Sequence, residues 1–324
     1  MQQEQEKARA GSLRPYGYAV LLPNQKSGSF SKDARLVDEA VSFLRERGWR
    51  VDVQTTGSSE DARKVTRNAV AQQADMVVAI GGDGTIHSII QELAGSETVL
   101  GVLPSGTFNV WAQETGIPLD TAGALDVLVN GQTRRIDLGY MNDRYFLLMT
   151  GIGFGGKVTY TVKKESMKRL GILGYLLVGL RLAFGFQSFR ATLKIDGQQE
   201  NLRALHIVVG NTKLYGSVIK FTWKARCDDG VLDVCVVRQP GKSKRLAVML
   251  DFLLHRGRAR KWVSYRTCHS VEIHTRKPVA IQCDGEPIGY TPATIRVVPR
   301  ALSVVVPQNP PENVFSDQSE EKKQ

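Results

Sequence analysis

The chain has few cysteines, and they are not spaced in the way that metal sites or disulfide frameworks require. Only four occur in 324 residues, with no CxxC pair, at Cys227, Cys235, Cys268 and Cys283. Scattered single cysteines are typical of free thiols in a reducing compartment. The sequence therefore predicts a cytoplasmic protein without a disulfide framework.

The chain also lacks an apolar run long enough to cross a bilayer. The longest apolar segment, 171–186, contains Arg181 and is shorter than the roughly 20 residues that a spanning helix needs. Residues 1–14 are polar and mixed in charge, unlike a signal peptide, and we expect them to be disordered. We expect any contact with membrane to be peripheral, at its inner face.

No nucleic-acid reading helix is recognisable, although the chain is basic, with a formal charge of +11 and a pI near 9.5. Basic residues border apolar segments at 163–169 and 255–261. This placement suits an anionic membrane surface better than a nucleic-acid duplex, and an ordinary solvated surface is the alternative. We expect no nucleic-acid partner.

Apolar runs and helical patterns alternate through the first part of the chain. Strands are predicted at 16–22, 50–54, 75–80 and 99–103, with helices between them. Such alternation indicates right-handed βαβ units and a parallel sheet, which binds ligands outside the carboxyl ends of its strands. The polar loops at 23–28, 81–85 and 104–109 all follow strands, so we expect them to gather at that edge.

The turn Gly81-Gly-Asp-Gly-Thr85 follows the strand at 75–80 and precedes a helical pattern over 86–93. Glycines let a ligand approach the main chain, and a helix N-terminus attracts phosphate. Asp83 cannot bind phosphate itself, but it can hold a cation. The alternative is a glycine-rich turn that binds nothing.

The pattern changes near Asp137, where strands are predicted at 137–140 and 145–151. Residues 157–186 are mostly helical in pattern, and short apolar runs then recur between Asp-Gly turn signals, as at 196–197, 229–230 and 284–285. These features are typical of an antiparallel β domain.

Taken together, the motifs resemble the diacylglycerol kinase catalytic-domain family, specifically its soluble bacterial lipid kinases, with sphingosine and ceramide kinases as relatives. The resemblance runs from about residue 16 to 307. The segments that carry it are Asn24 with Ser27-Gly28, Thr56 with Asp61-Ala62, 81–85, 104–109 with 116–118, 137–139, 151–153, 229–233 and 284–286.

The resemblance implies an α/β protein with two domains. Residues 15–136 would form a three-layer nucleotide-binding domain of the NAD kinase/diacylglycerol kinase type, and 137–306 an antiparallel β-sandwich that binds the lipid. The start of the tail at 307–324 would pack back on the first domain. The implied activity is an ATP- and Mg²⁺-dependent transfer of phosphate to the hydroxyl of a diacylglycerol-like or sphingoid lipid at the membrane surface, and a homodimer is compatible with it.

The resemblance also assigns roles to residues. Glu286 is the implied proton acceptor, while Asp83 and Asp137 are candidates for organising the catalytic Mg²⁺. A structural Mg²⁺ would be held by Asp229 and the main-chain carbonyls of Arg226 and Val231. The implied nucleotide contacts are Asn24, Gln25, Lys26, Ser27, Gly28, Thr56, Gly82, Asp83, Gly84, Thr85, Ile86, His87, Ser88 and Thr107.

Several of these residues have a simpler interpretation. The 284–285 and 229–230 pairs are ordinary turn sequences, and Asp137 could cap an element or pair with Arg134 or Arg135. The segment 171–186 could be a buried helix instead of a lipid entrance.

The chain departs from the family pattern at five places. Gln25 replaces a proline, Ser29 a lysine, His87-Ser88 an Asn-Glu pair, Val110 an aspartate, and Gly155 another aspartate. The last two remove acidic groups near the expected Mg²⁺ and favour a second hypothesis, a catalytically impaired nucleotide-binding regulator. A third hypothesis, an NAD kinase, predicts an Asn-Glu motif after the glycine turn, which the sequence does not contain.

Overall fold

The structure, a computed structural model, describes residues 17–25, 30–164, 187–216, 219–238 and 262–316, with 174, 177–179, 181 and 182. The chain divides into two compact units: residues up to 136 with 300–314, and residues 137–299 with 315–324. The predictions for 1–14, for 255–261 and for most of 171–186 fall outside the described residues.

A parallel sheet forms the centre of the first unit. Its strands are β1 (Tyr18–Pro23), β2 (Arg50–Val53), β3 (Met76–Gly81), β4 (Val99–Pro104) and the second half of β17 (Ala293–Val306). They lie in the order β2–β1–β3–β4–β17, and all neighbours are parallel. Every residue of β3 is buried, as expected for a strand covered on both faces.

Helices cover both faces of this sheet. They are α1 (Phe30–Arg45), α2 (Ser59–Ala71), α3 (Asp83–Leu93), α4 (Val110–Thr115) and α5 (Thr121–Asn130). Helix α2 packs on α3, and α1 contacts α5. The connections through α1 and α2 cross the sheet in opposite directions, so right-handed crossovers require these helices to lie on opposite faces. The predicted three-layer α/β fold is confirmed.

The second unit is built from antiparallel strands and one described helix, α6 (Phe154–Lys164). Its strands are β5 (Gln132–Met141), β6 (Arg144–Phe146), β7 (Met149–Gly153), β8 (Phe189–Ile195), β9 (Gln198–Gly210), β10 (Leu214–Tyr215), β11 (Ile219–Lys220), β12 (Leu232–Arg238), β13 (Val263–Cys268), β14 (Ser270–Thr275), β15 (Ala280–Cys283), β16 (Glu286–Tyr290) and the first half of β17.

The long strand β9 organises this unit. Its first half pairs with β8, and its second half pairs with β7 and β12. The strands follow the order β16–β15–β7–β9–β8–β14–β17, with β13 beside β12. One apolar core joins Phe146, Leu193, Ile207 and Ile273 from different strands. The predicted antiparallel β-sandwich is confirmed.

All four cysteines are buried free thiols, as predicted. Among the helices that the structure describes, none combines the length and the apolar character that crossing a membrane would require.

Candidate active site

The connections that follow the neighbouring strands β1 and β3 run in opposite directions across the parallel sheet. β1 leads to β2 on one side, whereas β3 leads to β4 on the other, so the switch point lies between β1 and β3. Open α/β sheets bind ligands at such a point, outside the carboxyl ends of the strands. A ligand site is therefore expected at the turns after β1, β3 and β4.

Asn24, directly after β1, connects the turns that follow β1, β2 and β3. Its backbone N–H donates to the Ile80 carbonyl at 3.2 Å, and its side-chain amide donates to Thr85 Oγ1 at 3.0 Å. Asn24 and Thr56 form a parallel bridge, and the Gln25 N–H donates to the Thr56 carbonyl at 3.0 Å. Predicted nucleotide contacts from separate segments thus lie side by side.

The turns after β3 and β4 pack backbone against backbone. A Cβ atom on Gly106 would lie 2.4 Å from Gly82 Cα, so only glycine allows this approach. The Ser105 N–H donates to the Gly81 carbonyl at 3.0 Å. The Asn109 side chain accepts from the Gly106 N–H and donates to its carbonyl, both at 2.9 Å. The two turns therefore form one continuous surface.

Asp83 holds the start of the next helix, α4. Its carboxylate oxygens accept from the backbone N–H of Val110 at 3.0 Å and of Trp111 at 3.1 Å. These bonds satisfy N–H groups that a helix leaves unpaired at its first turn. A carboxylate can accept about four hydrogen bonds, so this structural role is compatible with the predicted one at a cation or its waters.

The N-terminus of α3 provides a suitable place for phosphate. Gly82 is the N-cap and contributes no side-chain hydrogen bond. A Cβ atom on Gly84 would meet no atom within 4 Å, so the surface there is open. The first-turn amides and the positive end of the helix dipole attract an anion. This geometry fits the phosphates of the predicted nucleotide.

The remaining predicted nucleotide contacts differ in placement. Ile86, His87 and Ser88 are buried, and Ser88 Oγ donates to a carbonyl of its own helix at 3.0 Å. Thr107 is exposed in the turn that follows β4. Residues 26–28 lie outside the described part of the chain. The nucleotide role of these residues stays a prediction.

A second group of predicted residues lies in the β-sandwich unit, at the turn 226–231. The Asp137 carboxylate accepts from the Gly230 N–H at 2.6 Å, and the Asp229 carboxylate accepts from the Val231 N–H at 3.3 Å. Asp137 therefore lies beside the predicted ligands of the structural Mg²⁺. Asp83 belongs to the other unit, and the joint role of the two aspartates stays a prediction.

Negative charge accumulates at this turn. Partial burial of the carboxyl, followed by the charges of Asp233, Asp137 and Asp228, raises the pKa of Asp229 to about 6. Burial likewise raises the pKa of Asp233 to about 6. Asp233 Oδ1 is buried and, within the described chain, has no hydrogen-bond partner. A bound cation would compensate for such crowding of carboxylates.

The donors at this turn are the kind that Mg²⁺ prefers. No cluster of three or more His, Cys, Asp or Glu suited to a metal occurs in the described residues. The predicted ligand set differs from such a cluster because it combines the carboxylate of Asp229 with the carbonyls of Arg226 and Val231. All of these donors are oxygen atoms, which suit a hard divalent cation.

Glu286 begins β16, immediately after the two-residue turn Asp284-Gly285. Positive φ angles of 45° and 81° at these two residues are those of a type I′ hairpin turn. The Asp284 carboxylate accepts three backbone N–H groups of residues 147–149, at 2.8, 2.9 and 3.0 Å. Gln282 Oε1 accepts from the Gly285 N–H at 2.7 Å. The hairpin that carries Glu286 is therefore anchored to residues 147–149, and a further hydrogen bond within the hairpin closes its turn.

The anchoring contacts of Asp284 and Gln282 were not revealed by the sequence. The Asp-Gly pair predicted only a turn, and the turn is present. The three hydrogen bonds of Asp284 reach residues more than 130 positions earlier in the chain. Turn chemistry alone carries no signal for that contact.

The structure explains the glycine at 155, where the resembled family has aspartate. A Cβ atom there would lie 2.8 Å from His206 Nε2 and 2.4 Å from the Tyr215 hydroxyl oxygen. His206 is buried, and its Nδ1 lies 2.9 Å from the Ile152 carbonyl oxygen. Because a carbonyl can only accept, we assign the proton to Nδ1. No acidic side chain fits at 155 in this arrangement.

His206 should make the protein sensitive to acid. Burial lowers its pKa to about 4, whereas an exposed histidine has a pKa of about 6.5. Between these values the unfolded chain binds a proton that the folded chain excludes, so stability falls as the pH drops. The shift corresponds to about 3 kcal/mol of unfolding free energy lost by pH of about 4.

The measurement is urea unfolding of the wild type and of His206→Asn across that pH range. Asparagine can still donate to the Ile152 carbonyl, but it does not titrate. We expect the acid loss to be smaller in this variant by about that amount. Equal acid sensitivity of His206→Asn and wild type would contradict the assignment.

Two family models match the chain. The model described as "Diacylglycerol kinase catalytic domain" matches residues 18–141, and "YegS C-terminal NAD kinase beta sandwich-like domain" matches residues 149–306. A Pseudomonas putida protein named "Probable lipid kinase YegS-like" is 33% identical over 301 residues, covering 91% of this chain and 97% of the relative. A Chromohalobacter salexigens protein of the same name is 29% identical over 296 residues, covering 90% and 94%.

Solved structures show the same fold. A Bacillus anthracis crystal structure described as a diacylglycerol kinase has a TM-score of 0.69 at 21% identity, covering 90% of this chain and 97% of its own. A second structure from that organism has a TM-score of 0.76 at 24% identity, with the same coverage. At these identities the similarity supports the fold alone.

Proposed function

The chain belongs to the YegS-like family of lipid kinases, and we propose that it transfers the γ-phosphate of ATP to a hydroxyl of a diacylglycerol-like or sphingoid lipid. The observation that carries this proposal is the convergence of the turns after β1, β3 and β4 at the switch point of the parallel sheet. Backbone amides and small side chains gather there, as phosphate binding requires.

The first unit supplies the nucleotide site in this proposal. Asn24 and Thr56 border the open N-terminus of α3, where the phosphates would lie against Gly82, Gly84 and Thr85. Phosphoryl transfer depends mainly on positioning and on electrostatic stabilisation of the transferred group. The rigid contact between the two glycine-bearing turns provides the positioning.

Glu286 is the proposed general base. A lipid hydroxyl is a weak nucleophile at neutral pH, so a carboxylate within hydrogen-bond reach helps by accepting its proton during attack. Asp284 and Gln282 hold the Glu286 hairpin by four hydrogen bonds. A base must be held in a narrow range of positions to be effective, and this anchoring supports the role.

Mg²⁺ is the proposed cation. Bound with the nucleotide, it would neutralise charge on the phosphates as they react. Asp83 would orient its waters, together with Asp137 if the two carboxylates act on the same ion. The structural ion would be held by Asp229 and the carbonyls of Arg226 and Val231, where the carboxylates are crowded.

The reaction is placed at the cytoplasmic face of the membrane, where ATP and a lipid hydroxyl are both accessible. In this proposal the protein reaches its lipid substrate by peripheral contact with the membrane. A homodimer is compatible with it, and no nucleic-acid partner is needed.

The decisive experiment is a kinase assay with labelled ATP, Mg²⁺ and a lipid panel. Diacylglycerol, monoacylglycerol, phosphatidylglycerol, ceramide and sphingosine would be compared, with products identified by mass spectrometry. We expect one lipid class to be phosphorylated and NAD to be left unchanged. Phosphorylation of NAD instead would favour the NAD kinase hypothesis. Tight ATP binding with no turnover on any lipid would favour the catalytically impaired regulator.

A further inference from the structure

Three arginines stand in a row across adjacent strands of the β-sandwich unit. Arg190 on β8 is directly opposite Arg203 on β9. On the other side of β8, Thr275 of β14 pairs with Ala191, which places Arg276 level with Arg190. All three arginines are exposed. Since neighbouring strands lie about 4.8 Å apart, the row spans roughly 10 Å.

None of these three arginines has an anionic partner in the part of the chain that the structure describes. Other cations of the same sheet do have one: Lys194 pairs with Glu272 at 3.1 Å, and Arg238 and Arg266 pair with Glu200 at 3.0 and 3.1 Å. Like charges directly opposite each other destabilise a sheet. Repulsion within the row therefore opposes folding, and a bound anion would reduce that repulsion.

The row borders a groove with a volume of about 700 Å³. The polar residues Thr192, Asn201, His274 and Thr275 also line this groove. Guanidinium groups bind phosphate oxygens in a bidentate manner and keep their charge at all physiological pH values. The groove therefore combines positive charge, hydrogen-bond donors and open access.

We propose that this arginine groove docks the β-sandwich unit on membranes by binding the phosphate groups of anionic phospholipids. The inference extends the proposed function, because an enzyme that acts on a membrane lipid must reach its surface. Charge complementarity supports a membrane as the occupant: a short, exposed row of arginines matches a plane of lipid phosphates. The groove is separate from the residues assigned to nucleotide, metal and proton transfer.

The test is co-sedimentation of the full chain with vesicles, without ATP. Phosphatidylcholine vesicles containing phosphatidylglycerol are compared with pure phosphatidylcholine vesicles. We expect binding to the anionic vesicles that weakens as salt is added. Each basic residue near an anionic surface contributes about fivefold to affinity, so replacing all three by glutamine should weaken binding about 100-fold.

A matched control removes the same charge from the same unit. Lys194→Gln combined with Arg238→Gln and Arg266→Gln also lowers the net charge by three, but it alters cations that are already paired with glutamates. We expect this variant to lose only a few-fold in affinity. The thermal midpoint of the arginine variant should stay at or above that of the wild type, because repulsion within the row is removed.

Three results would overturn the proposal. The wild type could bind neutral and anionic vesicles equally, the two triple variants could weaken binding equally, or inorganic phosphate could bind the arginine row while anionic vesicles do not. Because vesicle binding needs no turnover, a failed docking test leaves the kinase proposal intact. A protein that docks through this row but phosphorylates no lipid would instead refute the kinase proposal alone.

Discussion

Replacing Glu286 by glutamine should lower the kcat for lipid phosphorylation by between about 10² and 10⁴, the usual contribution of a general base. Glutamine keeps the length of the side chain and can still hydrogen-bond, but it cannot accept the proton of the lipid hydroxyl. The KM for ATP should change little, since the nucleotide contacts are assigned to the first unit. Initial rates at saturating lipid, with ATP varied, measure both quantities.

The fold around Glu286 provides the control for this experiment. Asp284→Ala leaves three backbone N–H groups without their acceptor and releases the hairpin from residues 147–149. That variant should lose both activity and about 3 kcal/mol of stability. Glu286→Gln should lose activity at an unchanged thermal midpoint. More than a tenth of wild-type kcat in a well-folded Glu286→Gln protein would exclude the general-base role.

The strands of the first unit could be predicted because their signal is local. A parallel strand covered by helices on both faces is apolar along its whole length. β3, predicted at 75–80, lies at Met76–Gly81, and β4, predicted at 99–103, lies at Val99–Pro104. Hydrophobic runs bounded by glycine or proline were sufficient to locate them.

Element starts were predicted less well where the first residues are polar. The helix after the glycine turn was expected from Ile86 but begins at Asp83, because apolar spacing marks only the buried face and the first turn is partly exposed. β5 was expected from Asp137 but begins at Gln132, since its first four residues are polar and only half-buried. Backbone hydrogen bonds extend both α3 and β5 beyond their apolar residues, and an apolar pattern carries no signal for these bonds.

The contacts that hold the site together could not be predicted, because they join distant parts of the chain. Asp83 reaches a helix 27 residues later, and Asp284 reaches back 137 residues. The arginine row exists only through the register of β8 with its two neighbours. The sequence identified residue types suited to the chemistry, and the tertiary fold decides which of them meet.

Asp83 combines two roles that a pair of substitutions can separate. Its carboxylate binds the Val110 and Trp111 N–H groups, and it is also proposed to orient the waters of Mg²⁺. Asp83→Ala should remove both functions, with a stability loss of about 2 kcal/mol and a fall in kcat of about 10³. Asp83→Asn keeps one oxygen acceptor, so it should be more stable than Asp83→Ala while remaining nearly as inactive.

The Mg²⁺ dependence of the rate distinguishes a role in metal binding from one in holding α4. Loss of the Asp83 charge should raise the Mg²⁺ concentration needed for half-maximal activity, because the cation loses an anionic partner. Asn109→Gly is the matched control, because it removes the side-chain bonds to Gly106 and leaves the Asp83 carboxylate in place. Residue 109 has a φ of 48°, which glycine adopts freely. That variant should bind Mg²⁺ as the wild type does, even if its kcat falls. An unchanged Mg²⁺ requirement in Asp83→Asn would reduce Asp83 to a helix anchor, and full activity of Asp83→Ala would remove it from the active site altogether.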